Sequence, residues 1–357
     1  MSTTNKSSRR LFIEKMTTGT IGLAVSGGIG ERLFSSPGEH KKLKTGLPGN
    51  NEKKFVPVMI TPYNSNGKID FDTLSRLIDF YFSAGVKGFF ATCLSSEMYN
   101  LDAEERLALA KHVVKHVKGT VPVVASGSFG ESLEDKAEFT KKMYDTGVNA
   151  VILITSHFAG KEDPDEILIS NFEKFFKLTN NIPVGTYECP SPYKRILTPL
   201  VFKYLLETNR LIYHKDTTLD VEQVRVKLDL AKNNKVELYD AHTPNAMYSL
   251  QMGAKGMSAI AGNFYPEIFT WMCNNATNPA RQEDVKWLQS ELTRMDPVIS
   301  QYYPMSSKYF LQKRGVPVLP ISRSSSKPLT QEQKLILDDT YKVLLDWHNR
   351  LGIKMEK

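Results

Sequence analysis

From Phe55 onward the chain alternates short apolar runs with longer amphipathic ones. The apolar runs are VPVMITPY (56–63), GFFATC (88–93), VPVVASGS (121–128), AVILITSH (150–157), IPVGTYECP (182–190), LIYHKD (211–216), VELYDAH (236–242) and GMSAIAGN (256–263). Their length and their β-branched and aromatic content suit strands buried on both faces. Between them, apolar positions recur every three or four residues, the period of a helix with one buried side. Asp70, Asp102, Ser132 and Asp220 stand where helix N-caps belong, and Gly85, Gly119 and Gly147 where helices stop. Strand and helix alternating eight times over residues 55–278 predict an α/β fold of the (β/α)8 TIM-barrel type. An open doubly wound sheet is the rival, but no G-x-G-x-x-G follows an early strand.

After Pro279 the period changes to helix alone. Residues 280–300, 305–315 and 329–352 carry it, and Pro297, Pro304, Pro317, Pro320 and Pro328 punctuate it. A C-terminal helical extension over 279–357, packed beside the barrel, follows.

Charge changes the picture at one end only. The 357 residues carry 46 Lys+Arg against 39 Asp+Glu, a net +7. Ten of those cations and only four of the acids fall in residues 1–54, so the barrel and extension are close to neutral. A nucleic-acid partner is thereby excluded as an expectation. Ser8-Arg9-Arg10-Leu11-Phe12, followed by the small-residue stretch 17–30, resembles a twin-arginine export signal. That resemblance implies a signal segment over 1–35, a linker over 36–54, export machinery as a partner, and a periplasmic location with the signal cleaved or kept as an anchor. A basic, unfolded tail is the alternative. Cys93, Cys189 and Cys273 are odd in number and far apart, which speaks against a disulfide framework and against a zinc pair.

In such barrels chemistry gathers at the C-terminal ends of the strands. Lys215 stands there on the sixth strand, where desolvation favours the neutral amine, and a neutral amine attacks a carbonyl to form a Schiff base. A lysine that snorkels to the rim or pairs with Asp216 is the plainer alternative. Tyr187, at the end of the neighbouring fifth strand, could shuttle protons as the imine forms, or be an ordinary mouth aromatic. A metal-dependent isomerase or hydrolase would draw on His157, His214, His242, Glu188, Asp216 and Asp240. Alternation weakens that reading, because it turns His214 and Asp216 away from Lys215 and toward the helices.

Tyr187 in GTYECPSP, Lys215 in IYHKDTT, the loop LSSEMYNL, the run GAKGMSAIAGN and the opening VMITPYNSNGKID together resemble the dihydrodipicolinate synthase / N-acetylneuraminate lyase family over roughly residues 55–350. The resemblance implies a (β/α)8 barrel assembled as a homo-oligomer, dimer or tetramer. It also implies a 2-keto acid bound as a Schiff base, with no metal or organic cofactor. It makes Lys215 the Schiff-base lysine and Tyr187 the proton shuttle, and places Ser95 and Ser96 on the 2-keto acid carboxylate. Gly262 and Asn263 would line the far wall, Glu188 and His157 would contact substrate, and Glu97 would be structural.

The departures narrow the activity. The family's first loop hydroxyl is here Leu94, and the aromatic pair after the fourth strand is His157-Phe158, so two relay hydroxyls are missing. The arginine by which the lysine-pathway synthases hold their second substrate is Pro192, with Lys194 and Arg195 nearby. The expected activity is a class I aldolase or lyase releasing pyruvate from a 2-keto-3-deoxy sugar acid or sialic acid, not the lysine-pathway synthase. Dehydration or decarboxylation through the same imine, or sugar-acid binding without turnover, are the alternatives.

Overall fold

The computed structural model describes residues 52–325 and 327–354. The expected export signal over 1–35, and the expected linker up to residue 51, lie outside them.

Eight parallel strands form one sheet: β1 (Lys54–Phe55), β2 (Phe89–Phe90), β3 (Val123–Ser126), β4 (Ala150–Ile154), β5 (Val184–Tyr187), β6 (Leu211–Asp216), β7 (Glu237–Asp240) and β8 (Gly256–Met257). Neighbours run β1-β8-β7-β6-β5-β4-β3-β2, so each strand except the first lies beside its sequence neighbour. The two ends meet through a parallel bridge between Val58 and Phe90, where Met59 N–H donates to the Phe90 carbonyl at 3.1 Å. The sheet is thus closed into a barrel, with no free edge. Lys54, expected in the linker, belongs to β1, and its ammonium pairs with Glu237 at 2.8 Å.

Each strand is followed by a helix: α1 (Phe71–Ser83), α2 (Ala103–Val117), α3 (Leu133–Asp145), α4 (Asp165–Leu178), α5 (Pro199–Glu207), α6 (Val221–Ala231), α7 (Ala246–Met252) and α8 (Pro266–Asn275). The four polar residues expected as N-caps accept backbone N–H groups there: Asp70 from Thr73, Asp102 from Glu105, Ser132 from Asp135 and Asp220 from Glu222. Asp102 and Ser132 close full capping boxes with Glu105 and Asp135. α5 uses Thr198 as cap with Pro199 at its first position.

The barrel interior is aromatic. Phe90, Tyr187, Tyr213 and Tyr239 fill it, with Tyr213 and Tyr239 stacked at 4.8 Å and Phe90 edge-on to Tyr187 at 5.7 Å. Gly185 makes room for them: a Cβ there would stand 2.4 Å from the Ile152 side chain and 2.9 Å from the Tyr213 Cβ.

All the strands but β6 end earlier than the apolar runs suggest. Thr155–His157 and Ile260–Asn263 coil into single 3₁₀ turns, and Leu94–Ser96 makes another after β2. These residues leave the ladder at the C-terminal mouth, where backbone groups turn to side-chain partners; the Ser96 hydroxyl, for example, spans Cys93 N and Cys93 O.

Beyond the barrel come α9 (Gln282–Ser300), α10 (Met305–Lys313) and α11 (Gln331–Leu351). Pro297, expected to break the first of these, lies inside α9. A proline removes one intrahelical donor, but the flanking Met295 and Ile299 are buried against the core and hold the last turn in place. The extension does not simply pack beside the barrel. Its segment 296–324 reaches over the mouth, tied down by Glu97, which is buried and accepts from Lys308 Nζ (2.8 Å), Ser322 Oγ (2.8 Å), Arg323 N (2.6 Å) and Ser324 N (2.9 Å). Glu97 sits at φ 59°, a left-handed conformation that this set of bonds holds.

Candidate active site

Alternation along β6 decides the lysine. Tyr213 and Lys215 point into the barrel, while His214 and Asp216 point out to the helices. Lys215 pairs in register with Tyr187 on β5. Its Nζ lies 4.4 Å from the Tyr187 ring centre and 5.7 Å from that of Phe90. Among the described residues no carboxylate reaches it: Asp216, its sequence neighbour, is held on the opposite face by Lys227 Nζ at 2.7 Å. Burial lowers the Lys215 pKa from its ordinary value, and its nearest titratable neighbours are the buried thiols of Cys93 and Cys189. The group is therefore a desolvated amine without an ion-pair partner, which is the state a Schiff-base nucleophile requires.

Lys215 and Tyr187 form the floor of a cavity of about 560 Å³. That is ample for a ligand much larger than pyruvate. Burial raises the Tyr187 pKa well above the ordinary phenol value, so its hydroxyl keeps its proton and can deliver it.

One wall combines Ser95 with a residue the sequence reading missed, Tyr303 of the extension. Asn263 fixes that tyrosine. Its Nδ2 donates to Val58 O at 2.8 Å and to the Tyr303 hydroxyl at 2.6 Å, while its Oδ1 accepts from the Tyr81 hydroxyl. With its oxygen already accepting, the Tyr303 hydroxyl has its own proton to give, and Ser95 is its side-chain neighbour. Two hydroxyl donors thus face the cavity beside Lys215, a suitable cradle for the carboxylate of a 2-keto acid.

The rest of the lining includes further polar groups. His242 and Thr243 follow β7, Asp296 and Ser300 come from α9, and Lys194 from the loop after β5. Burial raises the Asp296 pKa from its ordinary value. Lys194 spends one N–H on Thr217 O at 2.7 Å and keeps two more. Arg195 turns away instead, to Asp165 at 2.9 Å.

Of the expected site residues, Lys215, Tyr187 and Ser95 meet in the cavity. The others do not reach it. Ser96 is buried with its hydroxyl on Cys93 and its carbonyl accepting from Thr61 at 2.7 Å. Asn263 stands behind Tyr303. Gly262 is packed on Phe55, whose ring a Cβ there would strike at 1.8 Å, so it is a packing glycine rather than a lining one. Glu188, expected on sugar hydroxyls, faces outward and is fully committed: its oxygens accept from Lys227 Nζ (2.5 Å), Leu197 N (2.9 Å) and Thr217 N (3.1 Å). His157 lies behind Tyr99, with Nδ1 2.6 Å from the Ser128 carbonyl and Nε2 3.0 Å from the Tyr99 hydroxyl. Phe158 stacks on Phe172 at 4.6 Å, inside the barrel wall.

Glu188, His214 and Asp216 do gather as a metal-binding set would, their ligand atoms within 4.8 Å of one another. The Lys227 ammonium bonds both carboxylates of that set, so the position a cation would take is already filled by one. The donor set does not fit a metal ion.

Comparison with known proteins agrees with this geometry. A family model described as the dihydrodipicolinate synthetase family matches residues 51–344. The 4-hydroxy-tetrahydrodipicolinate synthase of Bacillus subtilis (strain 168) is 27% identical over 283 residues, covering 79% of this chain and 96% of its own. That of Shewanella sp. (strain ANA-3) is 28% identical over 221 residues, 62% and 74% of the two chains. Among solved structures, a dihydrodipicolinate synthase superposes with a TM-score of 0.71 at 26% identity, over 82% of this chain and 99% of that one. A prophage protein of E. coli K12 from the same family, solved in complex with pyruvate, gives 0.73 at 22% identity over 82% and 98%.

Proposed function

We propose, on the premise that this chain belongs to the dihydrodipicolinate synthetase family of class I pyruvate-dependent lyases, that it cleaves a 2-keto-3-deoxy sugar acid to pyruvate and an aldehyde. The observation that carries the reading is Lys215 itself, a buried amine without an ion-pair partner, in register with Tyr187 on the floor of a large cavity. Attack of Lys215 Nζ on the keto carbon gives a carbinolamine. Tyr187 supplies the proton with which its oxygen leaves as water. The Tyr187 oxygen, having given up its proton, then takes that of the C4 hydroxyl; the C3–C4 bond breaks with its electrons drawn toward the imine, C4 leaves as the aldehyde, and the enamine left on Lys215 is protonated at C3 and hydrolysed by water to pyruvate and the free amine. The hydroxyl-bearing half of the substrate would lie against His242, Thr243, Asp296 and Ser300, a set rich in donors and acceptors.

The lysine-pathway synthase is the second reading, and Lys194 favours it, because its free N–H donors on the cavity wall suit an acidic second substrate. Against it stands Pro192, where those synthases carry an arginine.

Reductive trapping tests the reading. Incubation with pyruvate and borohydride, followed by peptide mass spectrometry, is expected to place a reduced pyruvyl group on Lys215. A panel of 2-keto-3-deoxy sugar acids and sialic acid is then expected to contain a substrate that releases pyruvate. An unmodified Lys215 would sink the Schiff-base chemistry. Formation of 4-hydroxy-tetrahydrodipicolinate from the synthases' own substrates, with no sugar acid cleaved, would decide for the second reading.

A further inference from the structure

The family resemblance puts two loop hydroxyls, Ser95 and Ser96, on the substrate carboxylate, and the structure leaves only one of them. Ser96 Oγ accepts from Cys93 N at 2.8 Å and donates to Cys93 O at 2.7 Å, so it is spent on its own turn. Leu94, on the other side of Ser95, lines the cavity without a side-chain donor. The turn after β2 therefore offers a single hydroxyl.

The extension supplies a second. Tyr303 stands between α9 and α10, half-buried, with its ring tilted against that of Phe264 at 6.5 Å. Asn263 sets its hydroxyl, and the direction of each hydrogen bond follows from the partners. The Val58 carbonyl can only accept, so the Asn263 atom that meets it at 2.8 Å is the amide nitrogen. The other N–H of that nitrogen points to the Tyr303 oxygen at 2.6 Å, and the amide oxygen takes the proton of Tyr81. Tyr303 is thus an acceptor toward Asn263, and among the described residues no carbonyl or carboxylate takes its own proton. Burial raises the Tyr303 pKa from its ordinary value, so that proton stays on the oxygen. One ion pair fixes the spacing of the two hydroxyls. Glu97 follows Ser95 on the loop, Lys308 on α10 follows Tyr303, and the two meet at 2.8 Å, both buried.

We propose that Tyr303 is the residue by which this site reads the carboxylate of its 2-keto acid, with Ser95 as the second donor, so that the extension decides between a keto acid and a neutral ketone. The proposal rests on the Schiff-base reading given above. A carboxylate beside the keto carbon presents two charged oxygens, and hydrogen bonds to a charged acceptor are the strong kind. An ester in the same place carries no charge, so Tyr303 gains little from it. Tyr303 binds the substrate, while proton transfer at the carbinolamine stays with Tyr187. Asn263 and Tyr81 act through Tyr303 as positioning residues.

Reductive trapping at Lys215, with pyruvate and with its neutral methyl ester, tests this on the full chain. Tyr303→Phe, which keeps the ring, is expected to raise the pyruvate concentration for half-saturation by about 10- to 100-fold, the scale of one hydrogen bond to a charged group. The value for the ester should move by less than about threefold. The limiting trapping rate should hold for both, because Lys215 and Tyr187 are untouched. Asn263→Asp reverses the bond: a carboxylate there accepts the Tyr303 proton, so half-saturation by pyruvate should rise as far as in Tyr303→Phe although the hydroxyl is present. If that buried substitution disturbs folding, Tyr303→Phe decides alone. A pyruvate value within about threefold of the original in Tyr303→Phe, or an equal rise for ester and pyruvate, would overturn the proposal. A folded Asn263→Asp protein that saturates with pyruvate as the original does would overturn it too. An unmutated protein that forms no adduct with either ligand overturns the Schiff-base reading as well; an adduct that forms at the same pyruvate concentrations with and without the tyrosine hydroxyl overturns this proposal only.

Discussion

The two faces of β6 hold two buried lysines with opposite fates. Inside the barrel, Lys215 is surrounded by aromatic rings and thiols, and burial lowers its pKa. Outside, Lys227 reaches in from α6 to Glu188 and Asp216 at 2.5 and 2.7 Å. Burial there acts in the same direction, but the two carboxylates outweigh it and the Lys227 pKa is raised. The lysines are 4% and 2% exposed, so depth does not distinguish them. Partner chemistry does: carboxylates keep one a cation, and their absence leaves the other a desolvated amine.

The sharpest break in that comparison is Lys215→Met. Loss of the pyruvyl adduct and of all cleavage is expected, because Lys194, the other described amine that lines the cavity, is bonded to Thr217 O. The same change should stabilise the fold by about 1–4 kcal/mol at neutral pH, since an unpaired buried ammonium is replaced by a side chain of similar volume. The gain depends on pH in a defined direction. A lysine whose folded pKa lies below its unfolded value binds fewer protons folded than unfolded as pH rises through that interval, so the original protein gains stability there. The difference between variant and original should therefore shrink as pH approaches 10.5, the ordinary lysine value. Denaturant titrations of both proteins between neutral pH and pH 10 measure it. A variant less stable than the original throughout would mean that Lys215 has a hidden partner.

Lys227→Met should do the reverse. It leaves two buried carboxylates facing each other without their cation, and a cost of about 3–5 kcal/mol is the usual scale of such a break. Urea unfolding reads this directly. Adding Glu188→Gln and Asp216→Asn to the same chain should recover much of the loss, because neutral amides need no cation. A single-variant cost below about 1 kcal/mol would place Lys227 among surface-like ion pairs and remove the contrast between the two faces.

The same two faces show what could be read from the sequence. The eightfold alternation, four helix caps and the inward lysine beside Tyr187 are local or periodic signals, and a strand's period of two is enough to turn Lys215 inward and His214 outward. Glu188 was misplaced although alternation from the inward Tyr187 turns it outward; the partner that holds it there, Lys227, stands 39 residues on, on a helix whose pattern gives no sign of the contact. Tyr303 and Asp296 carried no signal at all. They lie in a helical extension whose pattern says only that it is helical, and they reach the mouth because Glu97 anchors Ser322, Arg323 and Ser324 from more than two hundred residues away.

The smallest expected effect concerns that extension. Asp296 joins the polar lining of the cavity from α9, together with Thr243. If the hydroxylated half of the substrate lies there, Asp296→Asn weakens one charged hydrogen bond, worth about 1.5–3 kcal/mol. Sugar-acid kcat/KM should fall by roughly 10- to 100-fold, while the rate and extent of pyruvate trapping at Lys215 stay unchanged, since pyruvate is too short to reach that wall. Equal losses in both assays would mean that Asp296 supports the fold of the mouth as a whole. A loss confined to cleavage would divide the cavity into an imine-forming floor built by the barrel and a recognition wall lent by the extension.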